Sequence, residues 1–313
     1  RPPIPGLEHA VTSDEVLADQ ERVYKSLVII GGGVIGVELA CVYNALGCQV
    51  TIVEALERIL PNMDREICQN MTMILRRRGV AVNTACMVSA VEKDGEELVV
   101  RYTCKDTPGE ARGEAVLCAI GRRPNTAGLF PDDFTVEMER GRIVVDERFQ
   151  TSVPGIYAIG DVSSKIQLAH VAAVQGIACA DRLAGREPLT DVALVPGCIY
   201  TSPEIASIGL TADEAKGLGR GVKVGKALMS ANGKTVIAGG ERGFIKIVAD
   251  ASTGVVLGAQ LMCERATDML SELTEAVVNG LTARQLARVM RPHPTFEEAV
   301  SAAVEDLLEK LEK

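Results

Sequence analysis

The most constraining feature of the sequence is a glycine triplet, Gly31-x-Gly33-x-x-Gly36, set between two apolar runs, Ser26–Ile30 and Gln49–Val53. The first run ends in Gly31-Gly32-Gly33, and a helical pattern follows through Leu46 before the second run begins. Strand, glycine turn, helix, strand is a βαβ unit, and apolar strands of this kind belong in a buried parallel sheet. Gly31 permits the tight turn, Gly33 lets backbone approach a pyrophosphate, and Gly36 lets helix and strand pack closely. The N–H groups of the first helical turn, at Val34 and Ile35, are then free to meet phosphates. Glu54 ends the second strand, 18 residues beyond Gly36. A carboxylate there accepts from both ribose hydroxyls and repels a 2′-phosphate, so the pattern predicts NAD over NADP. A lone triplet also fits an ordinary Gly-rich turn. The strand, the helix and the terminal Glu in register favour the nucleotide.

The 313 residues leave room for two or three domains. Downstream of the βαβ unit, 64–78 reads as a helix, with Ile67, Met71 and Ile74 at three- and four-residue steps and Gly79 as its stop. A short strand is predicted at 80–82, a hairpin from 88–92 and 98–103 around Asp94-Gly95-Glu96, and a closing strand at 116–120. The stretch 141–186 holds strands at 143–145 and 155–159 and a helix over Ala169–Leu183. It is too short to form a domain by itself and is expected to complete a sheet built elsewhere. From Val195 the pattern changes to strands at 207–209, Val222–Leu228, 244–248 and 255–261. Helices at 266–279, 282–290 and 296–311 follow. Strands followed by helices read as an α+β domain.

Net charge is −9, which argues against a nucleic-acid or anionic-membrane surface. Nine cysteines are present with no CxxC or CxxxxC pair, several of them inside apolar runs. They read as free thiols used as small hydrophobes in a reducing compartment. No zinc spacing, secretion segment or long uncharged span occurs, so a cytoplasmic protein without membrane insertion or a metal site is expected. The opening Arg1-Pro2-Pro3-Ile4-Pro5-Gly6 reads as an extended connection cut out of something longer.

Five motifs, in order, carry a family resemblance. The segment from Gly31 to Glu38 resembles the NAD-domain opening of the pyridine nucleotide–disulfide oxidoreductases. Ala119-Ile120-Gly121-Arg122-Arg123-Pro124-Asn125-Thr126 resembles their link out of that domain. Tyr157-Ala158-Ile159-Gly160-Asp161 resembles their second flavin motif. Ile199-Tyr200-Thr201-Ser202-Pro203-Glu204-Ile205-Ala206 resembles the start of their interface domain, and His293-Pro294-Thr295 their C-terminal active-site motif. By wording the chain is most similar to the dihydrolipoamide dehydrogenases.

The resemblance implies an α/β fold: a Rossmann-like NAD-binding domain at 23–140, a partial FAD-binding domain from 1–22 and 141–190, and an α+β dimerisation domain at 191–313. It implies FAD and NAD as cofactors, a homodimer, and lipoyl domains of 2-oxo acid dehydrogenase or glycine cleavage complexes as partners. Asp161 is implied as a partner of the flavin ribityl chain, although an Asp there also suits a helix N-cap. Gly160 and Gly121 lie at the flavin and nucleotide turns. Ala169 opens a helix aimed at the flavin, and His170 beside it is structural or flavin-adjacent. Glu38 is implied near the nicotinamide, with an exposed helix Glu as the plainer alternative.

His293 and Glu298 are the implied acid–base pair. Imidazole titrates near neutrality and can take and return a thiol proton, while a carboxylate partner fixes its tautomer. Many members carry a second His where this chain has Arg291. The implied first flavin motif and CxxxxC disulfide do not occur, so this chain by itself is expected not to turn over. Other flavin disulfide reductases, and a non-catalytic NAD-binding dimer, are the competing readings.

Overall fold

The computed structural model describes residues 2–19, 21–131, 133–240 and 242–313. The chain begins with a 3-10 turn at Leu7–His9, a short strand Val11–Thr12 (β1) and a helix Ser13–Ala18 (α1). The expected extended connection is instead bent: Gly6 takes a φ of 76°, and Leu7 is buried among Val28, Ile30 and Val53. Burying Leu7 is worth about 1.5–3 kcal/mol and outweighs the preference of the prolines for extension. Arg1, at the head of that stretch, lies outside the described residues.

The βαβ unit forms as the sequence predicts. Ser26–Ile30 (β2) leads through the glycine turn into Val34–Ala45 (α2) and back to Gln49–Val53 (β3). Arg65–Arg77 (α3) follows, with Asp64 accepting from the Glu66 N–H at its N-terminus and Ile67, Met71 and Ile74 fully buried. Ala81–Asn83 (β4) comes next. Cys86–Asp94 (β5), Glu97–Cys104 (β6) and Thr107–Gly113 (β7) form a separate three-stranded antiparallel sheet. Ala115–Cys118 (β8) then completes a five-stranded parallel sheet in the order β1-β8-β2-β3-β4.

One expectation fails in the hairpin. Cys86 and Cys104 are not free thiols but form a disulfide. They lie directly opposite in the β5–β6 register, 18 residues apart in sequence. Cross-strand pairing brings them together, which a search for closely spaced cysteines does not detect. Seven cysteines remain free. Burial pushes Cys48 up to about 11 and Cys263 up to about 12, as suits inert small hydrophobes.

Two compact units emerge, Arg1–Gly121 with Pro196–Lys313, and Arg122–Val195. The smaller holds a two-stranded ribbon, Met138–Glu139 (β9) and Arg142–Ile143 (β10), and the helix Ala169–Leu183 (α4), placed as predicted. The expected strand at 155–159 is only a bridge between Gln150 and Tyr157, because the one backbone it pairs with in this unit is 149–151. The cores of this unit are small, one around Val136, Ile143 and Ala158 and another around Phe149, Ala178 and Cys179.

The larger unit continues with Gly197–Ile199 (β11), Glu204–Gly209 (β12), Ala212–Gly217 (α5), Val222–Leu228 (β13), Gly233–Ala238 (α6), Phe244–Asp250 (β14) and Val256–Cys263 (β15). The five strands form one antiparallel sheet, β11-β12-β15-β14-β13. Ala266–Val278 (α7), Ala283–Leu286 (α8) and Glu298–Leu311 (α9) complete the chain. The α/β fold with a C-terminal α+β half is the expected one. α8 is shorter than the predicted 282–290: it ends at Leu286 with Ala287 as its C-cap, and 287–288 form a turn before the chain runs on to Pro292. α9 starts at Glu298 rather than 296, since 295–297 form the turn that returns Thr295 to the Glu298 carboxylate. Among the described residues no helix is long and apolar enough to cross a membrane.

Candidate active site and dinucleotide turn

The glycine turn shows a division of labour. Gly31 takes a φ of 109°, and its N–H donates to the Val53 carbonyl. A Cβ on Gly36 would lie 2.0 Å from the Gly31 carbonyl oxygen, so helix and turn touch backbone to backbone there. A Cβ on Gly33 would meet nothing within 4 Å. Its lack of a side chain is therefore not required by the protein's own packing and leaves room for a ligand. Gly33 is also the N-cap of α2 and has no side chain to satisfy the N–H groups of Val34 and Ile35. A helix start left open in this way suits an anionic group. Gly121, with a φ of 108°, is likewise open on its Cβ side.

Glu54 is 7% exposed, and its two carboxylate oxygens are already engaged. One accepts from the Gly32 N–H, and the other accepts from the Leu56 N–H at 2.7 Å. Each oxygen keeps a second lone pair, so a ribose hydroxyl can still be accepted. The sequence reading assigned Glu54 to the ligand alone and missed that it also holds the turn.

Glu38 is not the exposed helix residue of the plainer reading. It is half-buried on α2 and accepts from the Tyr200 N–H at 2.7 Å. Burial raises its pKa, and the Tyr200 N–H partly offsets that. In the other unit, Gly160 takes a φ of 68°, and a Cβ there would come within 2.9 Å of the Ala172 Cβ. Its N–H donates to the Gln175 amide oxygen at 2.8 Å. Asp161 is exposed and is not the cap of α4, whose N-cap is Leu168 without a side-chain bond. Ala169 and His170 are exposed in the first turn of that helix.

The structure brings His293 and Glu298 together. Nδ1 of His293 lies 2.9 Å from Oε1 of Glu298, and Oε2 accepts from the Thr295 N–H at 3.0 Å. The Thr295 N–H, followed by His293, holds the Glu298 carboxyl below its ordinary value. An ionised carboxylate on Nδ1 leaves Nε2 as the atom that exchanges protons. The imidazole is 77% exposed and borders a cavity of about 480 Å³ with Asn232, Gly233 and Ala299.

Arg291, which replaces the second His of the resemblance, points away from that chemistry. Its side chain is 4% exposed and pairs with Glu272 on α7, and it donates to Ser301 on α9 at 2.8 Å. It anchors the loop rather than entering the site. Asn232 was not foreseen at all. The available signal was an Asn three residues before Thr235, directly preceding a helical segment, which is an N-cap pattern.

Comparison with known proteins bears on this geometry. The family profile described as pyridine nucleotide-disulphide oxidoreductase matches residues 1–176, and the dimerisation domain of the same description matches 195–304. A dihydrolipoyl dehydrogenase of Bacillus subtilis is 40% identical over 307 residues, 96% of this chain and 65% of the relative. One from Thermus scotoductus is 39% identical, over 94% of this chain and 64% of the relative. The chain thus spans about two thirds of the length of these relatives, 65% and 64%. Among solved structures, the HOCl-induced flavoprotein disulfide reductase RclA of Escherichia coli superposes with a TM-score of 0.88 at 28% identity, covering 99% of this chain and 70% of that one. LpdA of Mycobacterium tuberculosis gives 0.85 at 27% identity, covering 96% and 65%.

Proposed function

The chain belongs to the pyridine nucleotide-disulphide oxidoreductases, and on that premise we propose that it is the nucleotide-binding and acid–base portion of a dihydrolipoamide dehydrogenase. In the whole protein the reaction is oxidation of dihydrolipoamide to lipoamide with formation of NADH. The observation that carries this reading is the His293–Glu298 pair, 2.9 Å apart beside an open cavity. A dithiol gives up protons as it is oxidised, and Nε2 of His293 receives one while Glu298 balances the imidazolium charge.

NAD fits the open turn at Gly31, Gly33 and Gly36, with Val34 and Ile35 N–H groups toward its phosphates, Glu54 at the ribose, and Gly121 and Glu38 alongside. FAD fits Gly160, Asp161 and the first turn of α4 at Ala169 and His170. When bound, the flavin carries an electron pair between the dithiol and the nicotinamide. The sequence contains no CxxxxC pair, so we assign the exchanging disulfide to sequence outside these 313 residues. The same reading takes 23–140 as the NAD domain, 141–190 as a flavin-domain segment and 191–313 as the dimer-forming domain, with two corrections: 1–22, expected in the flavin domain, packs with the parallel sheet through the β1–β8 pairing, and 122–140 falls in the compact unit that holds 141–190. A cytoplasmic homodimer acting on lipoyl domains of 2-oxo acid dehydrogenase or glycine cleavage complexes follows from it.

The test is made in the full-length protein. His293→Gln is expected to lower dihydrolipoamide-dependent NAD reduction about 10²–10⁴-fold. Reduction of an artificial dye by NADH, which needs no thiol base, is expected to persist. Equal loss of both activities, or of neither, would sink the assignment of His293. NADPH binding tighter than NADH binding would sink that of Glu54.

A further inference from the structure

Asn232 is 7% exposed, and each end of its amide is used. The oxygen accepts from Thr235 N at 2.9 Å and Thr235 Oγ1 at 3.0 Å, which caps α6. The nitrogen donates to the Thr295 carbonyl at 2.9 Å, across 63 residues of sequence. Thr295 in turn donates its N–H to Glu298 Oε2 and its hydroxyl to the Pro292 carbonyl at 2.7 Å, and Glu298 Oε1 meets His293 Nδ1. A continuous hydrogen-bonded path therefore runs from the start of α6 to the imidazole.

Capping alone does not require this residue type. Any side-chain oxygen at that position accepts from the helix N–H groups, and Asp, Ser and Thr do so as well as Asn. The part of Asn232 that capping leaves unused is its donor nitrogen, and that nitrogen is spent on the loop carrying His293. We propose that Asn232 is a positioning residue for His293: by fixing Thr295 it fixes the Glu298 carboxylate, which keeps the imidazole proton on Nδ1 and Nε2 ready to accept. This rests on the reading of His293 and Glu298 as the acid–base pair.

Only three histidines occur in the chain, so the ring nitrogens of His293 can be resolved from those of His9 and His170 by ¹⁵N NMR. The ratio of Nδ1–H to Nε2–H tautomer in neutral imidazole, read at about pH 8, is the observable, since a purely structural cap would not move it. Asn232→Asp keeps the capping oxygen but turns an acceptor toward the Thr295 carbonyl. Asn232→Ser keeps a neutral capping oxygen too short to reach Thr295, and serves if the Asp variant folds poorly. Either is expected to lower the tautomer ratio about three- to tenfold, the scale of one hydrogen bond. An unchanged ratio in a folded variant overturns the role of Asn232. Glu298→Ala separates the two levels. If it moves the ratio while the Asn232 variants do not, only the positioning role is lost. If it too leaves the ratio unchanged, the acid–base reading falls with it.

Discussion

Lys246 donates to both carboxylate oxygens of Asp64, at 2.9 and 3.0 Å, across 182 residues of sequence. The two side chains are only 12% and 9% exposed, and the pair ties the start of α3, beside the parallel sheet, to strand β14 of the antiparallel sheet. Glu66 extends the link to Lys226, and both lysines lie over the Phe244 ring at 5.0 and 5.3 Å. Removing one member strands a buried charge. Lys246→Met is expected to cost about 3–5 kcal/mol in urea denaturation, because the Asp64 carboxylate loses its counter-ion. Breaking the exposed pair Arg284–Glu312 is expected to cost about 0–1 kcal/mol. Similar costs for the two pairs would show that the buried link is not a structural tie.

The glycines of the turn between β2 and α2 are expected to separate folding from binding. Gly36→Ala places a Cβ against the Gly31 carbonyl and should lower the melting temperature or abolish folding. Gly33→Ala meets no protein atom within 4 Å and should leave the melting temperature near wild type while weakening NADH binding. Calorimetric titration with NADH beside a thermal melt tests both. A Gly33→Ala protein that binds NADH normally would remove Gly33 from the site.

Acid should destabilise the fold in a defined window. Burial of Glu66 opposes its charge, but hydrogen bonds from Lys226 and Lys246 outweigh it and hold the carboxyl low. Asp306 behaves likewise, with burial offset by the Lys310 ammonium and the Lys226 N–H. The Thr295 N–H and His293 lower Glu298, and the Ser252 and Thr253 groups bring Asp250 to about 2. A folded carboxyl below its unfolded value contributes stability that is fully present above the unfolded value and lost as pH falls through the folded one. Urea midpoints should therefore decline once pH drops below the ordinary values of 4.5 for Glu and 3.8 for Asp, and continue declining toward 2. Flat midpoints between pH 5 and about 3 would contradict this.

The Cys86–Cys104 disulfide closes a loop of 18 residues. Reduction, or Cys104→Ser, is expected to lower stability by about 3 kcal/mol on the chain-entropy estimate. Melting curves with and without dithiothreitol measure it, and a reductant-insensitive melt would mean that the bond contributes nothing to the fold.

What was legible in the sequence was whatever local spacing encodes. The glycine triplet, the apolar runs around it and the period of Ile67, Met71 and Ile74 located the parallel sheet and its helices. The motif at His293 and the carboxylate five residues on singled out two side chains that the structure brings within hydrogen-bonding distance. What could not be read depends on contacts between distant segments. Cys86 meets Cys104 only through strand register, and Asn232 meets Thr295 only because α6 and the loop before α9 converge. Arg291 read as a substitution near the chemistry, whereas Glu272 and Ser301 draw its guanidinium into the packing between α7 and α9. The strand expected at 155–159 failed for a related reason: an apolar run becomes a strand only where a neighbouring backbone is there to pair with it.

The carboxylate of Glu54 holds the Gly32 and Leu56 amides with the same two oxygens that the proposed function assigns to a ribose. On that proposal, ligand preference and loop architecture are inherited together at this position. A lineage that drifts toward another nucleotide by exchanging this residue must at the same step find new acceptors for two backbone amides, or survive with a loosened turn until it does. Single changes here are therefore poor stepping stones unless compensating changes around Gly32 and Leu56 come before or soon after them.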